Sequence, residues 1–233
     1  MSKLLKKHRK LILIQLSISF ILLLVTATVL GRGFFHPEAK YFVFSYLDER
    51  PAIAKIFDPK TNDWGNYQAR ELSYVFDFID AHFFLLSAKI GTLHYYSLTY
   101  YLFVFIITIV AIYISTRYFG SKSLVIPFLL NILFLTSPPT FFSGFMYRTA
   151  KILTAMLLVI VIALLFRLKD KPRTAGRFIA ILIIIFFMSI ADRQGYFFLI
   201  SIMGILFVLG LFAHSRLLIN MAGGIFILLV EIG

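Results

Sequence analysis

The residues best suited to chemistry fall into three charged clusters, which are separated by long apolar stretches. The first lies within residues 32–94 and holds eight of the eleven acidic residues. The second pairs Arg148 with Lys151, and the third is the dipeptide Asp192-Arg193. A carboxylate can act as a general base on an acceptor hydroxyl, and paired cations can hold a phosphate and stabilise its charge as it leaves. We therefore take these clusters as the candidate catalytic and substrate-binding groups.

The composition around these clusters is that of a membrane protein. The 233-residue chain is 60% hydrophobic with a mean hydropathy of +0.90, whereas a soluble domain has roughly 45–50% apolar residues. The chain has no cysteine, which excludes disulfides, cysteine metal ligands and thiol nucleophiles. A basic N-terminus runs into the apolar residues 11–30, a stretch longer than the roughly 7–15 residues of a signal-peptide core. We expect an uncleaved first transmembrane helix.

The apolar stretches predict an all-α polytopic membrane protein with about seven transmembrane helices, since a span needs about 20 apolar residues. Two of the stretches are short, so their helices need tilt, a thinner bilayer or a re-entrant path. Without internal repeats or linkers, the simplest organisation is a single membrane domain over residues 1–233. The predicted spans are residues 11–30, 95–115, 124–136, 149–166, 178–191, 196–213 and 217–230.

The distribution of Lys and Arg predicts the orientation of these spans. With a cytoplasmic N-terminus, the inner segments hold thirteen basic residues and one acid, Asp170, whereas the outer segments hold ten of each. This one-sided excess explains the net charge of +12, so we expect no nucleic acid partner. Residues 32–94 become an extracytoplasmic loop, and all three charged clusters lie on its side. The expected location is the plasma (inner) membrane of a bacterium.

The best-patterned part of this loop is the segment 63–80. Its apolar residues follow the i, i+3, i+4, i+7, i+11 spacing of one helical face. That face holds Leu72, Val75, Phe76, Ile79 and Phe83, and the opposite face holds Arg70, Ser73, Tyr74, Asp77 and Asp80. A helix with so charged a face must lie at a membrane boundary rather than inside lipid.

Together these features resemble the GT-C class of integral membrane glycosyltransferases, such as bacterial aminoarabinose transferases and protein O-mannosyltransferases. The resemblance covers most of the chain: a basic N-terminus, one span, a long acidic outer loop with interfacial helix, and then many short-looped spans. The first-loop motif of the class is an Asp-Glu pair followed by a Tyr and an Ala-Arg-Glu-Met/Leu helix. Here Tyr67 and the tetrapeptide Ala69-Arg70-Glu71-Leu72 match its second part. Because the chain is short for the class, we expect a short or truncated member.

The resemblance implies transfer of a sugar from a polyprenyl-phosphate donor to an acceptor on the outer face. The catalytic aspartate is Asp63 or Asp48, because the only Asp-Glu pair, Asp48-Glu49, lies far upstream of the helix whereas Asp63 lies closer. Arg148 and Lys151 correspond by position to the donor-phosphate contacts. We expect no cofactor, and the carboxylates have no spacing that specifies a metal site. The other candidate substrate-binding residues are Glu49, Arg70, Glu71, Asp77, Asp192 and Arg193.

Each of these groups also has a structural explanation. Asp63 can cap a helix, and the Arg148 and Lys151 pair can snorkel from a helix end. Asp192 and its neighbour can form a hairpin turn with Gly195 as the permissive residue. Two other functional classes stay open. One is a transporter or flippase, which would place ionisable residues at mid-membrane, and the other is a non-catalytic membrane subunit.

Overall fold

Six α-helices have their bounds within the residues that the computed structural model describes, and no β-strand occurs there. They are α1 Arg9–Val25, α2 Glu71–Lys89, α3 Leu98–Tyr118, α4 Ala150–Asp170, α5 Ala175–Ser189 and α6 Gln194–Phe212. The structure describes residues 9–25, 47, 54, 71–90, 97–118, 129, 133, 137, 149–170, 175–192, 194–212, 214, 216, 218–220, 222–223 and 225–226. The all-α class predicted from the sequence is confirmed.

Five of these helices lie where the sequence predicts spans. α1, α3, α4, α5 and α6 coincide with the first, second, fourth, fifth and sixth predicted spans, and the described boundaries differ by a few residues. The third predicted span, 124–136, lies outside the described residues except for Leu129 and Leu133. The seventh, 217–230, is described only in part. The count of seven spans therefore stays a prediction.

Two helices are long and apolar enough to cross a membrane, by length and composition. They contain the stretches Leu98–Ser115 in α3 and Ala150–Arg167 in α4. Shorter apolar helices occur at Ile12–Leu22, Ile179–Ser189 and Phe197–Phe212. Large apolar side chains are exposed on the outer sides of all the described helices. Soluble monomers rarely expose contiguous apolar patches of this extent, so these side chains fit contact with lipid.

Helix α4 is the centre of the described bundle and packs against α2, α3, α5 and α6, while α1 packs against α3. Its Leu153 and Val161 are almost completely buried, as are Val104 of α3 and Ile185 of α5. These branched side chains have well-defined rotamers and interdigitate at close-packed density. α2 joins the same core through Phe76. This packing holds α2 against α3 and α4.

Candidate functional site

Helix α2 carries the described acidic residues of the long first loop. It begins at Glu71 and ends at Lys89, so that each terminal charge complements the helix dipole. The N–H of Leu72, one of the donors that a helix start leaves unbonded, donates to the carbonyl oxygen of Ile190 at 3.0 Å. Ile190 directly follows α5. The start of α2 is therefore hydrogen-bonded to the end of α5.

The polar face of α2 points into the protein. Ser73, Asp77 and Asp80 are buried, whereas Ile79 and Leu86 are exposed. The apolar face predicted from the sequence is divided, because Leu72, Phe76 and Phe83 pack against the core whereas Ile79 does not. The exposed apolar side chains fit contact with lipid at a membrane boundary. The buried polar face therefore needs hydrogen-bond partners inside the protein, because an unpaired buried polar group is costly.

Asp80 finds its partners at the start of α3. Its fully buried carboxylate accepts hydrogen bonds from the Ser97 hydroxyl, from the Thr99 N–H at 2.9 Å and from the Thr99 hydroxyl at 2.7 Å. Ser97 directly precedes α3, and its Oγ accepts the N–H of Tyr100 at 3.1 Å, as an N-cap residue does. Asp80 therefore extends this cap with a carboxylate beside the positive end of the helix dipole.

Burial raises the pKa of Asp80 from 3.8 to about 6, because the charged form loses its hydration. The hydrogen bonds from Ser97 and Thr99 act in the opposite direction and limit the rise. Because the pKa of Asp80 is higher in the folded than in the unfolded protein, protonation of Asp80 stabilises the folded state. This stabilisation is complete below about pH 4. It is lost as the pH rises through about 6. Asp80 is therefore mostly ionised at pH 7.

Asp77 makes a corresponding contact with the start of α4. Its Oδ1 accepts the Thr149 hydroxyl at 2.7 Å and lies 3.4 Å from the Thr149 nitrogen. Thr149 directly precedes α4, and its carbonyl oxygen accepts the N–H of Leu153 at 2.8 Å. Thr149 therefore occupies the N-cap position of α4. This contact gives Asp77 a structural role, and the substrate contact expected for it stays a prediction.

The third charged cluster lies in the turn between α5 and α6. Asp192 is buried, and its carbonyl oxygen accepts the N–H of Gly195 at 2.7 Å. A Cβ at Gly195 would lie 2.3 Å from the carbonyl oxygen of Met188. Glycine is therefore needed here for space, because α6 starts against the backbone of α5. From the sequence, glycine was expected here for its freedom of backbone conformation. The structure gives a different reason, which is the lack of space for a Cβ atom.

These contacts bring four segments together at one end of the bundle, and we call this region the junction. It consists of α2, the starts of α3 and α4, and the α5–α6 turn. Of the residues predicted to form the site, the structure places Glu71, Asp77, Lys151 and Asp192 in these segments. Lys151 is exposed in the first turn of α4, and Glu71 Oε2 is buried without a hydrogen-bond partner. The other predicted site residues, Asp48, Glu49, Asp63, Arg70, Arg148 and Arg193, lie outside the described residues.

Sequence reasoning missed the partners of the buried carboxylates. Ser97 and Thr149 carry a recognisable signal, because each hydroxyl residue directly precedes an apolar helix and so fits an N-cap. The aspartates that bond them are separated by 17 and 72 positions. No local pattern connects residues so far apart, so these pairs need the tertiary structure.

In the described part of the chain, no group of three or more His, Asp or Glu side chains is arranged to hold a metal ion. Searches of protein-family models, of curated proteins and of solved structures found no match to this chain. The function therefore has to be argued from the chemistry of the junction. That chemistry combines two carboxylates engaged as caps, a partly buried glutamate and an exposed lysine at the end of an apolar bundle.

Proposed function

We propose that this chain is a GT-C-like membrane glycosyltransferase module, which transfers a sugar from a polyprenyl-phosphate donor to an acceptor on the extracytoplasmic face. The junction is the observation that supports the proposal. It joins the acidic first loop to the start of α4 and to the α5–α6 turn, the three segments that carry the charged clusters. Each segment adjoins a cation in the sequence. These cations are Arg70, Arg148 and Arg193.

Cations at this position suit a lipid-linked donor. A polyprenyl phosphate keeps its isoprenoid chain in the bilayer and its phosphate at the surface, where Lys151 is exposed in the first turn of α4. Positive charge there stabilises the negative charge that develops on the phosphate as the sugar leaves. This end of the bundle therefore fits donor binding better than a site at mid-membrane.

The general base is Asp63 in this proposal. Asp63 precedes α2 by eight residues, so the chain holds it within roughly 28 Å of the start of α2 even when extended. Asp48 lies 23 residues before α2 and is constrained much less. Asp63 is therefore the candidate base that lies nearer to α2 along the chain. Asp48 stays the alternative.

The proposed orientation places the junction outside and the N-terminus in the cytoplasm of a bacterial cell. Because the chain has no cysteine, single cysteines can test this orientation with a membrane-impermeant maleimide. We expect Lys60→Cys and Lys151→Cys to react in intact spheroplasts. Arg117→Cys, at the other end of α3, should react only after permeabilisation. Labelling of positions 60 and 151 from opposite sides would refute both the orientation and the proposed site.

The proposal is tested by sugar transfer in membranes that contain the full chain. Polyprenyl phosphates carrying aminoarabinose or mannose serve as donors, and polar and lipid acceptors are offered. We expect Asp63→Asn to lower the initial rate by a factor of about 10²–10⁴, as loss of a general base does. Asp58→Asn makes the same change in the same loop and should stay within about twofold of the parent.

The amount of inserted protein is measured in the same membranes, so that loss of folding is not mistaken for loss of catalysis. If the Asp63→Asn variant, the Asp48→Asn variant and the double variant all keep the parent rate, the assignment of the base is wrong. A parent protein that transfers neither sugar to any acceptor offered would contradict the proposed activity.

A transporter or flippase function has less support from the described helices. Neither apolar stretch of α3 or α4 contains an Asp, Glu, Lys or Arg near its middle. The charged residues of these stretches are Lys151 and Arg167, which lie at opposite ends of α4. Transporters usually bind substrates and ions near the bilayer midplane through broken helices. The described charges instead favour chemistry at a surface.

A further inference from the structure

The end of the bundle opposite the junction carries arginines from three successive helices. Arg117 lies in the last turn of α3, Arg167 lies near the end of α4, and Arg177 is the third residue of α5. α3 and α4 both begin at the junction, and α5 ends there. These three arginines are therefore on the same side of the bundle, away from the acidic residues of α2.

Tyr113 is close to Arg167 in space and to Arg117 along helix α3. The guanidinium carbon of Arg167 lies 5.9 Å from the centroid of the Tyr113 ring, which is within cation–π distance. Arg117 follows Tyr113 by four residues on α3, and side chains at this spacing are neighbours on a helix surface. The Tyr113 ring therefore contacts Arg167 of α4 and lies one helical turn before Arg117 of α3.

The side chain of Arg177 is hydrogen-bonded to the end of α4. Its Nη1 donates a hydrogen bond to the carbonyl oxygen of Arg167 at 3.1 Å. That carbonyl belongs to the last turn of α4, where the helix itself supplies no N–H partner. The bond therefore places the guanidinium of Arg177 at the end of α4 that carries Arg167.

The sequence around these helix ends adds further positive charge. The segments 117–122 and 167–177 contain seven basic residues and one acid, Asp170. Repulsion among so many like charges is relieved when an anion binds between them. An exposed apolar side chain lies beside Tyr113 on α3, because Ile109 precedes it by four residues and is 41% exposed. An anion with attached acyl chains would match both the charge and the adjacent apolar surface.

We propose that Tyr113, Arg117, Arg167 and Arg177 form a binding site for the phosphate headgroup of an anionic phospholipid. Arginine suits this ligand because its planar group can give a phosphate two parallel hydrogen bonds. Basic pockets between helix ends on the cytoplasmic side of a membrane are suited to such headgroups. The acyl chains of the lipid would lie along the side of α3 that carries Ile109. This proposal does not depend on the glycosyltransferase activity.

The test is lipid binding to the purified full chain in detergent, measured by native mass spectrometry. Phosphatidylglycerol is compared with phosphatidylcholine, which has the same phosphate and acyl chains but no net charge. We expect phosphatidylglycerol to bind at least about tenfold more tightly, because each favourably placed arginine contributes about a factor of five. The double variant Arg117→Gln, Arg167→Gln should bind the two lipids equally to within about twofold.

Arg216→Gln is the matched control. It removes one positive charge beyond the end of α6, which also runs from the junction toward the basic end. This variant should keep the preference for phosphatidylglycerol. If Arg216→Gln loses as much preference as the double variant, the effect is diffuse charge and the proposal is wrong. Should the double variant not fold, Arg117→Gln, which changes an exposed side chain, takes its place with an expected loss of at least about threefold.

Two further outcomes would overturn the proposal. One is equal binding of phosphatidylglycerol and phosphatidylcholine by the parent protein. The other is displacement of bound phosphatidylglycerol by an equal concentration of inorganic phosphate, because the site would then select the free anion rather than a lipid. Retention of the lipid in phosphate, together with the loss in the arginine variants, supports the site.

Discussion

Replacement of Asp80 by asparagine gives the sharpest test of how α2 is attached. The asparagine side chain has nearly the same shape, and its amide oxygen can still accept the N–H of Thr99. The hydroxyl groups of Ser97 and Thr99 can rotate to accept from the new amide hydrogens. The substitution therefore keeps the cap at the start of α3 and removes only the ionisation of residue 80.

The expected magnitude follows from the pKa of Asp80, which burial raises from 3.8 to about 6. Each unit of difference between folded and unfolded states corresponds to about 1.4 kcal/mol. The parent protein should therefore lose about 3 kcal/mol of unfolding free energy from this group between about pH 4 and pH 7. For a chain of this size, that corresponds to a fall of roughly 6–12 °C in the midpoint of thermal unfolding.

The measurement is thermal unfolding of the parent and of Asp80→Asn in the same detergent, at steps between about pH 4 and pH 7.5, the range that spans both pKa values. Other groups titrate in both proteins, so the quantity of interest is the difference between their midpoints. We expect the parent to lose stability relative to the variant as the pH rises, with no further change above about pH 7. Asp58→Asn should run parallel to the parent across the whole range.

Parallel curves for the parent and Asp80→Asn would refute the argument, because the buried carboxylate would then have the same pKa in the folded and unfolded chain. Asp80→Ala supplies an independent check. It leaves the donors of Ser97 and Thr99 without their acceptor in a buried position, which should cost about 2–4 kcal/mol at pH 7. An alanine variant as stable as the parent would show that α3 does not depend on this cap.

The remaining predictions concern the other two contacts of the junction. Gly195→Ala should lower the unfolding free energy by about 1–3 kcal/mol, because its Cβ would lie 2.3 Å from the Met188 carbonyl oxygen. Gly176→Ala, where a Cβ meets nothing within 4 Å, is the matched control and should be neutral or slightly stabilising, as alanine is in helices. Thr149→Val should cost about 1–2 kcal/mol through loss of the bond to Asp77, whereas Thr149→Ser should be nearly neutral. Thermal unfolding at pH 7 measures all of these, and equal midpoints for the two glycine variants or the two threonine variants would contradict them.

The sequence was most informative about the apolar helices. α3 and α4 coincide with two predicted spans within a few residues, because each is a long apolar stretch with polar or charged residues at its ends. Periodicity also predicted a helix at α2. It could not show that polar and apolar side chains of this helix are buried together, because that depends on partners distant in the sequence. Thr149 is one such partner, 72 positions from Asp77.

The candidate site was less predictable for the same reason. The sequence predicts Asp77 as a substrate contact and places Asp80 on the charged face of the same helix. The structure shows them buried, with Asp77 bonded to the start of α4 and Asp80 to the start of α3. A hydroxyl residue before an apolar helix predicts an N-cap but not a second, charged acceptor behind it. Tertiary contacts therefore decide the role of each acid.

The capping role has a consequence for the proposed catalysis. Helix starts that are buried in the protein need acceptors for their N–H groups, because an unpaired buried donor is costly. α2 supplies such acceptors to α3 and α4, so Asp77 and Asp80 already serve as structural acceptors. A general base that exchanges protons with an acceptor hydroxyl is then better sought elsewhere in the loop. Of the two candidate bases, Asp63 lies eight residues before α2 and Asp48 lies 23, so Asp63 is the first to replace.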